Sequence, residues 1–138
     1  MSTSANVALS VYKTKPFSRF ARKAHIRDEE LWEAARRASQ GSVDADLGGG
    51  VIKQRIARAG EGKSGGSRAI LLYRIRGRVV FVYGFEKKDK ANISDQELAA
   101  FRELADVILG YNKAAMAQRV AGGALIEIAK PEESGDGR

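Results

Sequence analysis

Of the eleven cations between Val51 and Lys90, eight come from strand faces, the glycine-rich loop and the exit of the sheet: Lys53, Arg55, Arg58, Lys63, Arg68, Lys87, Lys88 and Lys90. Side chains of this kind bind and neutralise phosphate oxygens, arginine in a two-pronged fashion, and a fixed cation in a partly dry site stabilises growing negative charge more than it would in water. Such a set can cleave RNA without histidine. The ribose 2′-hydroxyl attacks the adjacent phosphate, and charge grows on the non-bridging oxygens and the leaving oxygen. A lysine crowded by other cations has its pKa lowered, which suits it to accept a proton near neutral pH. This chemistry needs no metal, but it is slow on free RNA unless something else orients the substrate.

Most other chemistries are excluded by composition. With one histidine, His25, and no cysteine, neither a Ser-His-Asp nor a Cys-His set can be assembled, and there is no disulfide framework or thiolate zinc site. The carboxylates are not clustered for a metal, and no cofactor is expected. His25 stands just after a helical pattern and reads as a cap. Gly62-Lys63-Ser64 mimics the end of a Walker loop, but Ala57 stands where its first glycine belongs. For each cation the plain alternative is a solvated side chain on a sheet edge. For Lys63, Lys87, Lys88 and Lys90, general attraction to RNA serves as well as a specific role.

The elements that must position these cations follow from periodicity. In VIKQRI the period is two, so Ile52, Gln54 and Ile56 share one face while Val51, Lys53 and Arg55 share the other. The glycine-rich stretch 59–66 separates this strand from RAILLYRI (68–75), a central strand, and Arg76-Gly77 is a two-residue turn into RVVFVYGF (78–85). Before the sheet, ALSVYK (8–13) reads as a short strand. Pro16, Phe17, Phe20, Ala21 and Ala24 predict a first helix over 16–24, whose other face holds Arg19, Arg22 and Lys23. Asp28 is expected to cap a second helix carrying Leu31, Trp32, Ala35 and Ala38, stopped by Gly41, with Trp32 in the core. Residues 43–47 read as irregular, followed by the Gly48-Gly49-Gly50 turn. Ser94 and Glu97 form a capping box for a long third helix carrying Leu98, Phe101, Leu104, Ala105 and Ile108 and ending near Gly110 to Asn112. Lys113–Ala121 continues helically, Leu125–Ile128 adds an edge strand, and residues 1–7 are a frayed leader. A domain over 1–128 with a disordered tail over 129–138 is expected.

A chain of 138 residues, 43% hydrophobic and 30% charged, has the length and balance of one folded domain. Its net charge of +7 is uneven: residues 11–37 carry +4, residues 44–90 carry +6, and residues from 91 onward carry −3. Positive potential on the first two thirds points to a polyanion such as nucleic acid. No run is long enough to span a membrane, and MSTSANVALS lacks the order of a secretion signal, so no membrane partner is expected and the cytoplasm is the expected location.

The order strand, two helices, antiparallel strands and helix, together with GGGVIKQRIARAGEGKSGGSRAILLYR and VYGFEKKDKANISDQELAAFRELA, resembles the HigB-type branch of the RelE/ParE toxin superfamily over about Val11 to Ile128. The resemblance implies an α+β, RelE-like fold: a small twisted antiparallel-rich sheet covered by an N-terminal helical hairpin, with a long third helix after the sheet. It implies a type II toxin that cleaves mRNA in the ribosomal A site. Its partners would be the ribosome, mRNA and a cognate antitoxin, usually one with a helix-turn-helix domain. By the same resemblance Lys53 and Arg55 match a basic pair, one member of which takes the proton, and Arg68 matches the phosphate-binding arginine. Arg58, Lys63, Lys87, Lys88 and Lys90 would bind RNA or the ribosome. Relatives often carry a C-terminal tyrosine and an aromatic before the arginine. This chain has no tyrosine after Tyr111, carries Ser67 at that second position, and has Tyr73 and Tyr83 in presumed core strands. Two other readings stay open: a ParE-like gyrase poison on the same scaffold, and a noncatalytic module that binds nucleic acid or antitoxin.

Overall fold

In the computed structural model, which describes residues 8–57, 66–74 and 77–131, the apolar runs form a six-stranded sheet with helices on both faces. Along the chain, β1 (Ser10–Thr14) leads into α1 (Lys15–Lys23) and α2 (Asp28–Ser39). Then come β2 (Ala45–Gly48), β3 (Val51–Ile56), β4 (Ser67–Leu72) and β5 (Arg78–Glu86). The last elements are α3 (Asp95–Ile108), α4 (Lys113–Ala121) and β6 (Leu125–Ile128). The strand order is β2-β3-β4-β5-β1-β6, antiparallel at every step except where β1 lies parallel to β5. This is the α+β architecture expected.

The strands bury both faces, which is why β4 and β5 read as nearly continuous apolar runs. On one face Ile52, Ile56, Ala69, Leu71, Val79 and Phe81 meet the stripes of α1 and α2, with Trp32 half-buried at the margin. On the other, Val51, Ile70, Leu72, Val80 and Val82 meet Ala105 and Ile108 of α3 and Met116 of α4. Gln54, fully buried, donates to the carbonyls of Ala34 and Ser42 and accepts from the Asp44 N–H. A buried amide so completely bonded ties α2 and the following loop to β3 at little cost.

The helix ends follow local chemistry. Thr14 Oγ1 accepts from Phe17 N–H at the start of α1, and His25 takes up the left-handed conformation (φ 59°) that ends it. Asp28 is not the cap of α2. Arg27 holds that position, its N–H donating to Glu30 Oε1 at 2.9 Å, while Asp28 accepts from Lys13 Nζ at 2.9 Å. Ser94 and Glu97 form the expected box on α3.

Residues 43–47 are not wholly irregular, because β3 has a free edge that Ala45–Gly48 fills as β2. β4 stops earlier than its apolar run. Tyr73 N–H still donates to Gly50 O, but β3 begins at Val51 and offers nothing further to pair with. The glycines of that turn all have positive φ. Ile75, Arg76, the loop over 58–65, residues 1–7 and tail residues 132–138 lie outside the described residues.

One irregularity positions the site. Between β4 and β5 the register shifts: Ile70 pairs with Tyr83 but Leu71 pairs with Phe81, leaving Val82 as an extra residue. Below the bulge Val80 and Val82 face α3. Above it Tyr83 and Phe85 face that side too, and Gly84 turns toward α1.

Candidate active site and nucleic-acid interface

The pairing register brings the expected cations together. Arg55 lies directly opposite Arg68, and Arg68 opposite Phe85, so the three form one row across β3, β4 and β5. In the next row Lys53, Ile70 and Tyr83 are aligned in the same way. Both rows lie on the face that α3 covers farther down, over Val51 and Leu72. The register thus presents two guanidinium side chains at one level from adjacent strands.

Each side chain is held differently. β2 pairs with β3 only as far as Lys53, and beyond it the backbone of Arg55 is gripped by side chains. Its N–H donates to the Asp44 carboxylate and its C=O accepts from Arg37 at 2.8 Å. Arg68 is half-buried, with a long 3.5 Å contact to the Ser67 carbonyl. Lys53 Nζ donates to Asn92 Oδ1 at 3.2 Å, and the same oxygen accepts from Ile93 N–H.

Lys90 takes a different role from the other cations. Its ammonium donates to both carboxylate oxygens of Glu97 (2.9 and 2.8 Å) and to Tyr83 OH (3.2 Å). The hydrogen bond to Glu97, and then that to Tyr83, raises the pKa of Lys90, while the Lys90 contact holds Glu97 below the ordinary carboxylate value. Lys90 therefore stays charged, the opposite of what a proton acceptor needs. Lys87 and Lys88 stand exposed in the turn after β5, and Arg58 and Lys63 lie outside the described residues.

Periodicity did not point to Tyr83, Phe85, Asn92, Arg37 or Asp44. Strict alternation from Val80 would have set Tyr83 and Phe85 under α1, and only the bulge reverses them. Tyr83 is half-buried, its ring 6.0 Å from Phe85 and 5.6 Å from Phe101. Among the described residues no His, Cys, Asp and Glu group is arranged to hold a metal ion, and no helix is long and apolar enough to cross a membrane.

The family model for the RelE toxin of RelE/RelB toxin–antitoxin systems matches residues 9–128, spanning every element from β1 to β6. The chain belongs to the RelE toxin family. No curated protein matches it. Membership in the RelE family makes this chain a toxin of a toxin–antitoxin system and implies an antitoxin as its partner. The face carrying Lys53, Arg55 and Arg68 is thus a cationic surface on a RelE-type scaffold.

Proposed function

We propose that this RelE-family toxin, of the HigB-type branch, is a ribosome-dependent endoribonuclease that cuts mRNA in the A site. The observation that carries this reading is the row in which Arg55 and Arg68 stand opposite each other beside Lys53. Two guanidinium groups presented at one level from adjacent strands suit the two-pronged binding of a phosphate between them. In the proposed reaction the 2′-oxygen attacks phosphorus and its proton passes to Lys53 reacting as the neutral amine, which becomes the ammonium; a guanidinium, which does not give up its own proton, cannot take this part. Arg55 and Arg68 hold the charge on the non-bridging oxygens. The bond to the 5′-oxygen breaks, and that oxygen takes a proton from Tyr83, whose oxygen already accepts from Lys90. The products are a 2′,3′-cyclic phosphate and a 5′-hydroxyl.

The proposal extends to a cytoplasmic site of action, an antitoxin of helix-turn-helix type, and residues 1–128 as the functional domain. Purified chain added to ribosomes programmed with mRNA is expected to cut in the A site, and Arg68→Ala to slow cleavage by about 10²–10³ fold. The melting temperature of that variant should stay close to the parent's, because Arg68 is only half-buried and its contact with the Ser67 carbonyl is long. Uncut mRNA together with blocked DNA supercoiling would replace this reading with gyrase poisoning.

A further inference from the structure

α1 carries an arrangement of charge that folding does not account for. Lys15, Arg19, Arg22 and Lys23 stand at positions i, i+4, i+7 and i+8, one stripe along the helix, and all four are exposed while Phe17 and Ala21 are buried. KPFSRFARK contains no acidic residue. Like charges four residues apart weaken a helix, and Lys15 occupies the first turn, where the macrodipole favours an anion. Only Arg22 and Lys23, in the last turn, gain from that dipole. Among the described residues none of the four pairs with a carboxylate.

The position of α1 relates the stripe to the site. Phe17 packs on Phe81 with ring centroids 5.1 Å apart, and Phe20 lies so close over Gly84 that a Cβ there would come within 2.3 Å of the ring. α1 is thereby pinned across the last part of β5, on the face away from Arg55 and Arg68. Lys87 and Lys88 follow in the exposed turn at the end of that strand. Cations thus run from α1, on the opposite face of the sheet from Arg55 and Arg68, to the turn that follows β5.

We propose that the α1 stripe, continued by Lys87 and Lys88, docks the phosphate backbone of a folded RNA duplex distinct from the RNA in the site. Cations about 5–6 Å apart on a rigid helix suit a regular row of phosphates, and duplex RNA is recognised by shape and backbone contacts. The stripe carries no large apolar side chain, which a membrane surface or a protein interface core would require. The identity of that duplex as ribosomal RNA rests on the interferase reading; the binding itself does not.

The test compares the full chain with a variant carrying Lys15→Gln, Arg19→Gln and Lys23→Gln. Binding to a naked RNA hairpin duplex should weaken at least tenfold. The slope of log affinity against log salt should flatten by about 2–3, with the melting temperature unchanged or higher. Cosedimentation with ribosomes should weaken in parallel, while Arg68→Ala slows cleavage and still cosediments. Unchanged duplex affinity overturns the proposal, as does a loss of affinity confined to the antitoxin. If the parent cuts no ribosome-bound mRNA, the interferase reading fails, and the duplex measurement still decides the role of the stripe.

Discussion

Tyr83 and Lys90 show how the surroundings of a residue decide its role. Lys90 donates to the phenol oxygen and is itself fixed by Glu97, so the tyrosine's own proton remains available to a group above the sheet. Tyr83→Phe removes that proton and keeps the ring contacts with Phe85 and Phe101, so cleavage should fall about a hundredfold with little loss of stability. Single-turnover cleavage on programmed ribosomes, alongside thermal melting, checks both halves; an unaltered rate would remove Tyr83 from the mechanism. That Lys53 and Arg55 share a face was legible because a period of two on β3 needs no tertiary knowledge, whereas the place of Arg68 opposite Arg55 follows only from the strand register. Tyr83 was not legible either, since nothing in RVVFVYGF marks where the bulge falls. Nor does the sequence near Lys90 reveal that one lysine in a run of three is committed to a carboxylate seven residues on.

At the scale of elements, α1 and β5 approach so closely that only glycine fits at position 84. Gly84→Ala drives a methyl into the Phe20 ring and should cost about 1–3 kcal/mol in denaturant unfolding, with Phe20→Leu restoring part of it. The start of α3 gives a pH signature. Glu97 is held below its ordinary pKa of 4.5 by Lys90 and by the Ser94 N–H, so its contribution is present above that value and is lost as pH falls through the depressed one. Acid melting of the parent should therefore be steeper below about pH 4.5 than that of Glu97→Gln, and matching curves would show that the contact does not contribute. The capping box of α3 was readable because its signal is local. β2 was not, because VDADL has no strand pattern of its own and becomes a strand only where the edge of β3 offers partners.

For the molecule as a whole, β6 is a structural requirement. Leu125 and Ile128 are buried on opposite faces, and Ile128 pairs with Val11 in the core. A chain ending after Lys130 should melt close to the full chain, whereas one ending after Ala124 should lose cooperative melting. If the shorter chain still melted cooperatively, β6 would be dispensable. The placement of β1 has a kinetic consequence. The first strand lies between β5 and β6, paired with Arg78–Phe81 on one side and with the last strand on the other. Its partners are among the most distant in the chain, and contacts of that separation form slowly. During synthesis β1 emerges before either partner, gaining its first neighbour when β5 follows and its second when β6 does. The rows that carry Lys53, Arg55 and Arg68 can thus pair before the β1–β6 edge of the sheet is in place, and docking of β6 is the step that completes the sheet.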